Sequence, residues 1–111
     1  MLSLSSSNIY LYSHPVNMHK SFEGLSAIVQ QSFPGKLYTG SYFVFLNKSN
    51  KCIKILAWDG DGYAIYYKRL EKGIFFVNSN AESKLTRREF LMLFEGIKPV
   101  RLDSRFSFKK R

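Results

Sequence analysis

The stretch between Ile53 and Gly73 reads Ile-Lys-Ile-Leu-Ala-Trp-Asp-Gly-Asp-Gly-Tyr-Ala-Ile-Tyr-Tyr-Lys-Arg-Leu-Glu-Lys-Gly. Two β-prone runs flank an Asp-Gly pair, and a glycine there supplies the positive φ that tight hairpin turns need. The sequence therefore predicts a β-hairpin with Gly60 and Asp61 at the two central turn positions.

This turn position determines which side chains share a face of the hairpin. The predicted pairs are Trp58 with Tyr63, Leu56 with Ile65, and Lys54 with Tyr67. One face then carries Lys54, Leu56, Trp58, Tyr63, Ile65, Tyr67 and Arg69, and the other carries Ile53, Ile55, Ala57, Ala64, Tyr66 and Lys68. Both faces are largely apolar, so a single covering layer cannot bury both. A helix, a partner or nucleic acid must pack on the hairpin.

Three further strands are predicted from apolar runs outside the hairpin. They are a first strand at Asn8–Tyr12, a central strand buried on both faces at Ser41–Leu46, and a short closing strand at Gly73–Val77. The polar segment Asn47–Lys51 between the central strand and the hairpin reads as a loop, as does Asn78–Lys84.

Two helices complete the prediction. The first begins at Asn17 as N-cap, ends at Pro34-Gly35, and carries an apolar stripe of Phe22, Leu25, Val29 and Phe33 at helical spacing. The second begins with a capping box of Thr86 and Glu89, flanked by Leu85 and Phe90 at hydrophobic-staple positions. Gly96 and Pro99 are the expected end of that helix.

These elements predict a single α+β domain of order β-α-β-β-β-β-α. The sheet is expected to be a mostly antiparallel meander packed against two helices, both on one face. We assign residues 1–97 to this domain and residues 98–111 to a basic C-terminal arm.

Net charge indicates an anionic partner. The chain of 111 residues has a formal charge of +9, and +5 of it lies in the last fourteen residues. A purely solvated tail is the alternative interpretation of that arm. No apolar run approaches the length of a membrane span, the N-terminus lacks the pattern of a secretion signal, and a single cysteine fits a reducing compartment. The expected location is the cytoplasm, with no membrane association.

The chain offers little for catalysis or metal binding. Asp59 and Asp61 flank a glycine in a tight turn, where aspartate commonly bonds its own backbone, and the other acidic residues are scattered. His14 and His19 form no zinc pattern, Cys52 is interpreted as a structural thiol, and no glycine-rich phosphate loop is present. We expect no catalytic residues, no metal site and no cofactor.

Basic residues interleaved with aromatic residues are the remaining signal. Such side chains can follow a phosphate backbone, but Tyr and Trp on half-buried strands also pack as core, and neighbouring Lys side chains extend to solvent. Both interpretations stay open. The candidate nucleic-acid-binding residues are Lys20, Lys48, Lys51, Lys54, Lys68, Arg69, Lys98, Arg101, Arg105, Lys109, Lys110 and Arg111, and the candidate partner-binding residues are Trp58, Tyr63 and Tyr67.

Several motifs resemble those of one family of mobile-element proteins. They are Pro15-Val-Asn-Met-His-Lys-Ser-Phe-Glu-Gly-Leu25, Tyr42-Phe-Val-Phe45, Ile53-Lys-Ile-Leu-Ala-Trp-Asp-Gly-Asp-Gly62, Tyr67-Lys-Arg-Leu-Glu-Lys-Gly73, and Leu85-Thr86 with Leu93-Phe94-Glu-Gly-Ile97. In order and spacing the chain is similar to the small accessory protein TnpB of bacterial insertion sequences of the IS sixty-six type, the second open reading frame product. The RNA-guided nuclease that shares the TnpB name is a different, much longer protein.

The resemblance implies a non-enzymatic role in DNA transposition and DNA recombination, alongside a separate transposase that carries the catalytic carboxylates. The expected partners are DNA and the transposase of the same element. The alternative is a pure protein adaptor of the transposase that makes no direct contact with DNA.

Overall fold

The computed structural model describes residues 8–77 and 84–94, whose strands and helices follow the predicted α+β order β-α-β-β-β-β-α. The elements are β1 Ile9–Leu11, α1 Phe22–Ser32, β2 Tyr42–Leu46, β3 Cys52–Trp58, β4 Tyr63–Arg69, β5 Lys84–Leu85 and α2 Arg87–Phe94. The five strands form one sheet in the order β4-β3-β2-β1-β5.

The hairpin of β3 and β4 has the predicted register. Trp58 pairs with Tyr63, Leu56 with Ile65, and Lys54 with Tyr67. The N–H of Asp59 donates to the carbonyl of Gly62 at 2.8 Å, which leaves two residues in the loop. Gly60, at the first central position, has a φ of 86°, the positive φ that a tight hairpin turn requires.

The sheet has apolar residues on both faces, and β2 at its centre is buried along its whole length, as predicted. Side chains alternate between the faces along each strand. One core layer, called here the α1 layer, contains Tyr10, Val16, Leu25, Val29, Leu37, Phe43, Phe45 and Leu56. The opposite layer, the α2 layer, contains Ile9, Leu11, Tyr42, Val44, Leu46, Ile53, Ile55, Ala57, Phe75, Leu85, Phe90 and Leu93.

The two helices therefore lie on opposite faces of the sheet, and the prediction that both cover one face is wrong. The reason is the two-sided apolar character of β2 and β3, which one layer of helices cannot cover. Helix α1 contributes Leu25 and Val29 to its layer, whereas α2 contributes Phe90 and Leu93 to the other.

Strands β1 and β2 are parallel, and α1 is the crossover that a parallel pair requires. The other pairings, β2 with β3, β3 with β4 and β1 with β5, are antiparallel. The sheet is thus mostly antiparallel, as predicted, but it is not a simple meander.

The fifth strand is not the one that the sequence predicted. Residues 73–77 form no strand, although Phe75 is fully buried in the α2 layer and its N–H donates to the carbonyl of Asn50 at 2.7 Å. The apolar character of this segment reflects packing beneath the sheet rather than strand pairing. Lys84–Leu85 pairs with β1 instead.

The predicted start of α2 is confirmed, whereas the predicted start of α1 is wrong. The N-cap of α1 is Ser21, not Asn17, because the Asn17 side-chain oxygen accepts from the N–H of His19 at 2.7 Å and stabilises a preceding turn. The capping box of α2 is confirmed: the N–H of Thr86 donates to the Glu89 carboxylate at 2.8 Å, and the N–H of Glu89 donates to the Thr86 hydroxyl at 3.0 Å. Leu85 and Phe90 pack in one layer, as the staple requires.

The expected end of the second helix at Gly96 and Pro99, the basic arm, and residues 78–83 of the loop predicted over Asn78–Lys84 lie outside the described residues. The last residue of that predicted loop, Lys84, belongs to β5 instead.

Gly60 and Gly62 allow a direct test of the turn. A Cβ added at either residue meets no heavy atom within 4 Å, but only Gly60 of the two has a positive φ. We expect Gly60→Ala to lower the free energy of unfolding by about 1–3 kcal/mol because of backbone strain alone. Gly62→Ala, the matched control, changes it by less than about 0.5 kcal/mol. Urea unfolding followed by circular dichroism measures both, and equal effects would contradict the assigned turn.

Candidate nucleic-acid and partner interface

Three of the predicted basic residues lie at one end of the sheet, which we call the basic end. The register pairs Cys52 with Arg69, so the β2–β3 loop with Lys48 and Lys51 lies beside the last residue of β4. The N–H of Leu70 donates to the carbonyl of Lys51 at 2.9 Å and joins the two segments. Lys48, Lys51 and Arg69 are all exposed.

The loop at the basic end is held in place by its own side chain. The Asn47 side-chain oxygen accepts from the N–H groups of Lys51 and Cys52, both at 3.0 Å, and the N–H of Asn50 donates to the carbonyl of Asn47 at 3.0 Å. Asn50 adopts a positive φ of 59°, a conformation that asparagine tolerates better than most residues. The loop is therefore a defined platform for its two lysines.

An open cleft of about 630 Å³ adjoins this loop. The segment before α1 reaches the same end of the sheet, because the N–H of Val16 donates to the carbonyl of Leu46 at 2.9 Å. The cleft is lined by Pro15, Val16, Asn17, Met18, His19, Asn47, Lys48, Ser49 and Cys52. His19 and Lys48 thus come together from segments far apart in the sequence.

Lys54, a predicted nucleic-acid contact, points into the protein. Its side chain is only 9% exposed, and its Nζ donates to the carbonyls of Met18 and Lys20 at 2.7 and 2.8 Å. The same Nζ lies 5.0 Å from the centroid of the Tyr67 ring. Lys54 therefore anchors the segment before α1 to β3, and its ammonium group is directed away from the exposed surface.

The remaining described candidates, Lys20 and Lys68, occupy different surroundings. Lys20 is exposed, and its side-chain carbons lie 3.3 Å from the position that a Cβ on Gly24 would take, over the first turn of α1. Lys68 is half-buried on the opposite face of β4 from Arg69, because neighbouring strand residues point to opposite faces. The six candidates in the arm lie outside the described residues.

The partner-binding candidates do not form one surface. Trp58 and Tyr63 meet edge-to-face at the hairpin end of the sheet, with ring centroids 5.1 Å apart. Tyr38 joins them at 4.9 Å from Trp58, and Phe22 stacks on Tyr63 at 6.4 Å. Phe22, predicted as part of the buried stripe of α1, is 43% exposed. We call these four residues the aromatic patch.

Tyr38 was missed by sequence reasoning. It lies between the end of α1 and β2, in a segment without periodicity, and it is 59% exposed. The hydroxyl of Tyr63 donates to the hydroxyl of Tyr38 at 3.2 Å. This hydrogen bond, together with partial desolvation, raises the pKa of Tyr63 above its ordinary value.

Tyr67 lies at the opposite end of β4 from the aromatic patch. Its hydroxyl donates to the sulfur of Cys52 at 3.8 Å, and this contact, followed by desolvation, raises the pKa of Tyr67. Cys52 is a buried free thiol, in line with the structural role expected for it.

Comparison with known proteins gives the family of the chain. Residues 7–104 match the model of the family described as IS66 Orf2 like protein. The chain belongs to this family. It is also 30% identical over 91 residues to the uncharacterized protein y4jC of Sinorhizobium fredii (strain NBRC 101917 / NGR234), an alignment that covers 80% of this chain and 78% of that protein. No solved structure shows significant similarity to the chain.

Membership in the IS66 Orf2-like family makes this a transposition-associated accessory protein. Among residues 8–77 and 84–94, no three His, Cys, Asp or Glu side chains are grouped so that they could hold a metal ion. No helix within those residues has the length and apolar character of a membrane span.

The structural role of Lys54 is testable. In Lys54→Met the carbonyls of Met18 and Lys20 lose their partner in a partly buried site, so we expect the free energy of unfolding to fall by about 3 kcal/mol. Lys51→Met, which removes an exposed lysine from the same region, changes it by less than about 0.5 kcal/mol. Urea unfolding gives both values, and amide exchange of residues 16–20 reports the loss of the anchor. Equal stability of the two variants would contradict the assignment.

Proposed function

We propose that this chain is a non-catalytic accessory protein of DNA transposition that acts with a separate transposase and binds DNA through its basic end. The proposal is supported by the position of three exposed cations, Lys48, Lys51 and Arg69, at the same end of the sheet. Contacts to phosphates position a protein on DNA, and they require exposed cations that share a surface.

The surroundings of these residues support phosphate binding. The open cleft beside the β2–β3 loop adds His19 to the surface. Lys20 lies over the first turn of α1, where the N-cap Ser21 forms no side-chain capping hydrogen bond. The first turn of α1 also carries the carboxylate of Glu23, which offsets the positive potential of the helix start. Side-chain cations beside the cleft, rather than the backbone of α1, therefore produce the positive potential in this region.

The basic arm extends this proposed surface. Residues 98–111 contribute Lys98, Arg101, Arg105, Lys109, Lys110 and Arg111 against one acidic residue. We propose that the arm adds phosphate contacts to those of the folded domain of residues 1–97. Lys68, on the opposite face of β4 from Arg69, contributes at most through long-range attraction.

An adaptor that binds the transposase without direct contact to DNA is the second candidate. The aromatic patch favours it, because solvent-exposed aromatic side chains are enriched at protein interfaces. In both functions the transposase supplies the catalytic residues, and this chain does no bond chemistry.

We expect the salt dependence of DNA affinity to decrease when the basic residues of the basic end are neutralised. Each phosphate contact contributes about 0.9 to the slope of log K against log salt, so the triple variant Lys48→Gln, Lys51→Gln, Arg69→Gln lowers that slope by about 2–3. Neutralising the six basic residues of the arm flattens it further. Fluorescence anisotropy with labelled duplex DNA at several salt concentrations gives the slopes.

The matched control removes three exposed positive charges elsewhere: Lys36→Gln, Arg87→Gln, Arg88→Gln. Equal slopes for both triple variants would show attraction to net charge without a defined site. Absence of DNA binding with retained transposase binding would leave the adaptor function. Cleavage or joining of transposon-end DNA by the purified chain with Mg²⁺ or Mn²⁺ would refute both.

A further inference from the structure

The aromatic patch differs in charge from the basic end of the same sheet. Asp59 and Asp61 are exposed in the hairpin turn that follows Trp58 and precedes Tyr63. Lys36, two residues before Tyr38, is the exposed basic residue on the adjoining segment. The seven-residue strands β3 and β4 separate this end from Lys51 and Arg69 by about 20 Å, which exceeds the Debye length of about 8 Å at physiological salt.

The rings of the patch present open aromatic surface. Tyr38 and Tyr63 both meet Trp58 nearly at right angles, with interplanar angles of 87° and 76°. Edge-to-face packing of this kind orients the rings, and the hydrogen bond between the two tyrosine hydroxyls holds them together. Tyr38 nevertheless stays 59% exposed, so part of its ring is available to a partner.

A hollow of about 300 Å³ lies next to the patch. Its lining consists of Gln30, Pro34, Gly35, Leu37, Tyr38 and Thr39. Tyr38 thus belongs to both the patch and the hollow. A partner segment that crosses Tyr38 contacts an aromatic ring, an apolar recess and two carboxylates within a few residues.

From this combination we propose that the hairpin end binds a protein segment in which Arg or Lys stands beside apolar residues. The proposal rests on the proposed accessory function and specifies its protein partner by chemistry. A guanidinium or ammonium group stacks on Tyr38 in a cation–π contact, Asp59 and Asp61 attract it, and a neighbouring apolar side chain enters the hollow. Phosphates are repelled by the same two carboxylates, so nucleic acid is not the occupant.

The position of this surface has a consequence for assembly. Because DNA is proposed to bind at the opposite end of the strands, the two partners occupy separate surfaces and bind together. The chain then connects the transposase to DNA, and each contact raises the effective concentration of the other.

The test measures binding of the purified transposase of the same insertion sequence to full-length variants. Tyr38→Ala is expected to weaken this binding about tenfold, in the range of a cation–π contact that is lost together with its packing. Tyr66→Ala is the matched control, since Tyr66 is 41% exposed on the opposite face of β4. We expect no change for this variant.

The carboxylates are tested with Asp59→Asn, Asp61→Asn, which keeps side chains that suit the turn. The double variant is expected to weaken transposase binding at low salt and to have no effect near 1 M salt, where the Debye length is about 3 Å. Glu71→Gln, which removes an exposed acidic charge at the opposite end of the strands, is the control.

The outcomes separate this inference from the proposed function. Unchanged transposase affinity in Tyr38→Ala and in the aspartate variant, or no transposase binding by the wild-type chain that still binds DNA, overturns the inference and leaves the DNA-binding function standing. Weaker DNA binding in Tyr38→Ala also overturns it, because the patch is then a nucleic-acid surface. A wild-type chain that binds neither DNA nor transposase overturns the proposed function itself.

Discussion

Two-sided burial of β2 and β3 is the constraint on which the rest of this structure depends. Phe43, Phe45 and Leu56 face one layer, and Val44 and Ile55 face the other, all of them essentially without exposure. A sheet of this kind has to be covered twice. The chain does so with a parallel crossover through α1 on one face and with the Phe75 segment and α2 on the other.

The same constraint explains the unusual surroundings of Lys54. In its strand this residue alternates with Ile53 and Ile55, so its side chain points into the face that α1 covers. A lysine there must find hydrogen-bond acceptors, and the carbonyls of Met18 and Lys20 provide them. The anchor in turn gives the segment before α1 its position beside the cleft. Lys54, although lysine commonly contacts DNA, thus has a structural role here: it fixes the segment that lines the cleft.

Local chemistry was predictable from the sequence, whereas long-range placement was not. The turn at Gly60, the strand at Tyr42–Leu46 and the Thr86 capping box follow from interactions between near neighbours, and each is present. The apolar run around Phe75 looks the same whether it pairs as a strand or packs as irregular chain. Likewise, Asn17 is a favourable N-cap by residue type, but its side chain accepts from the N–H of His19 in a turn before the helix, and α1 starts after Ser21.

The candidate binding surfaces were likewise predictable where they depend on local sequence and not where they depend on long-range placement. Strand register, which the turn residues predict, is enough to place Arg69 near Lys51 and to separate both from Trp58 and Tyr63. Tyr38 joins the aromatic patch only because the chain returns across the hairpin end after α1, a feature of topology rather than of local pattern. Tyr67 is the opposite case, a residue that the face pattern groups with Tyr63 but the structure separates from it. It lies four residues further along β4, towards the basic end, in contact with Cys52. Two side chains on the same face of a strand can therefore belong to different sites. Because the two ends of this sheet differ in charge, the position of a side chain along its strand determines which partner it can contact.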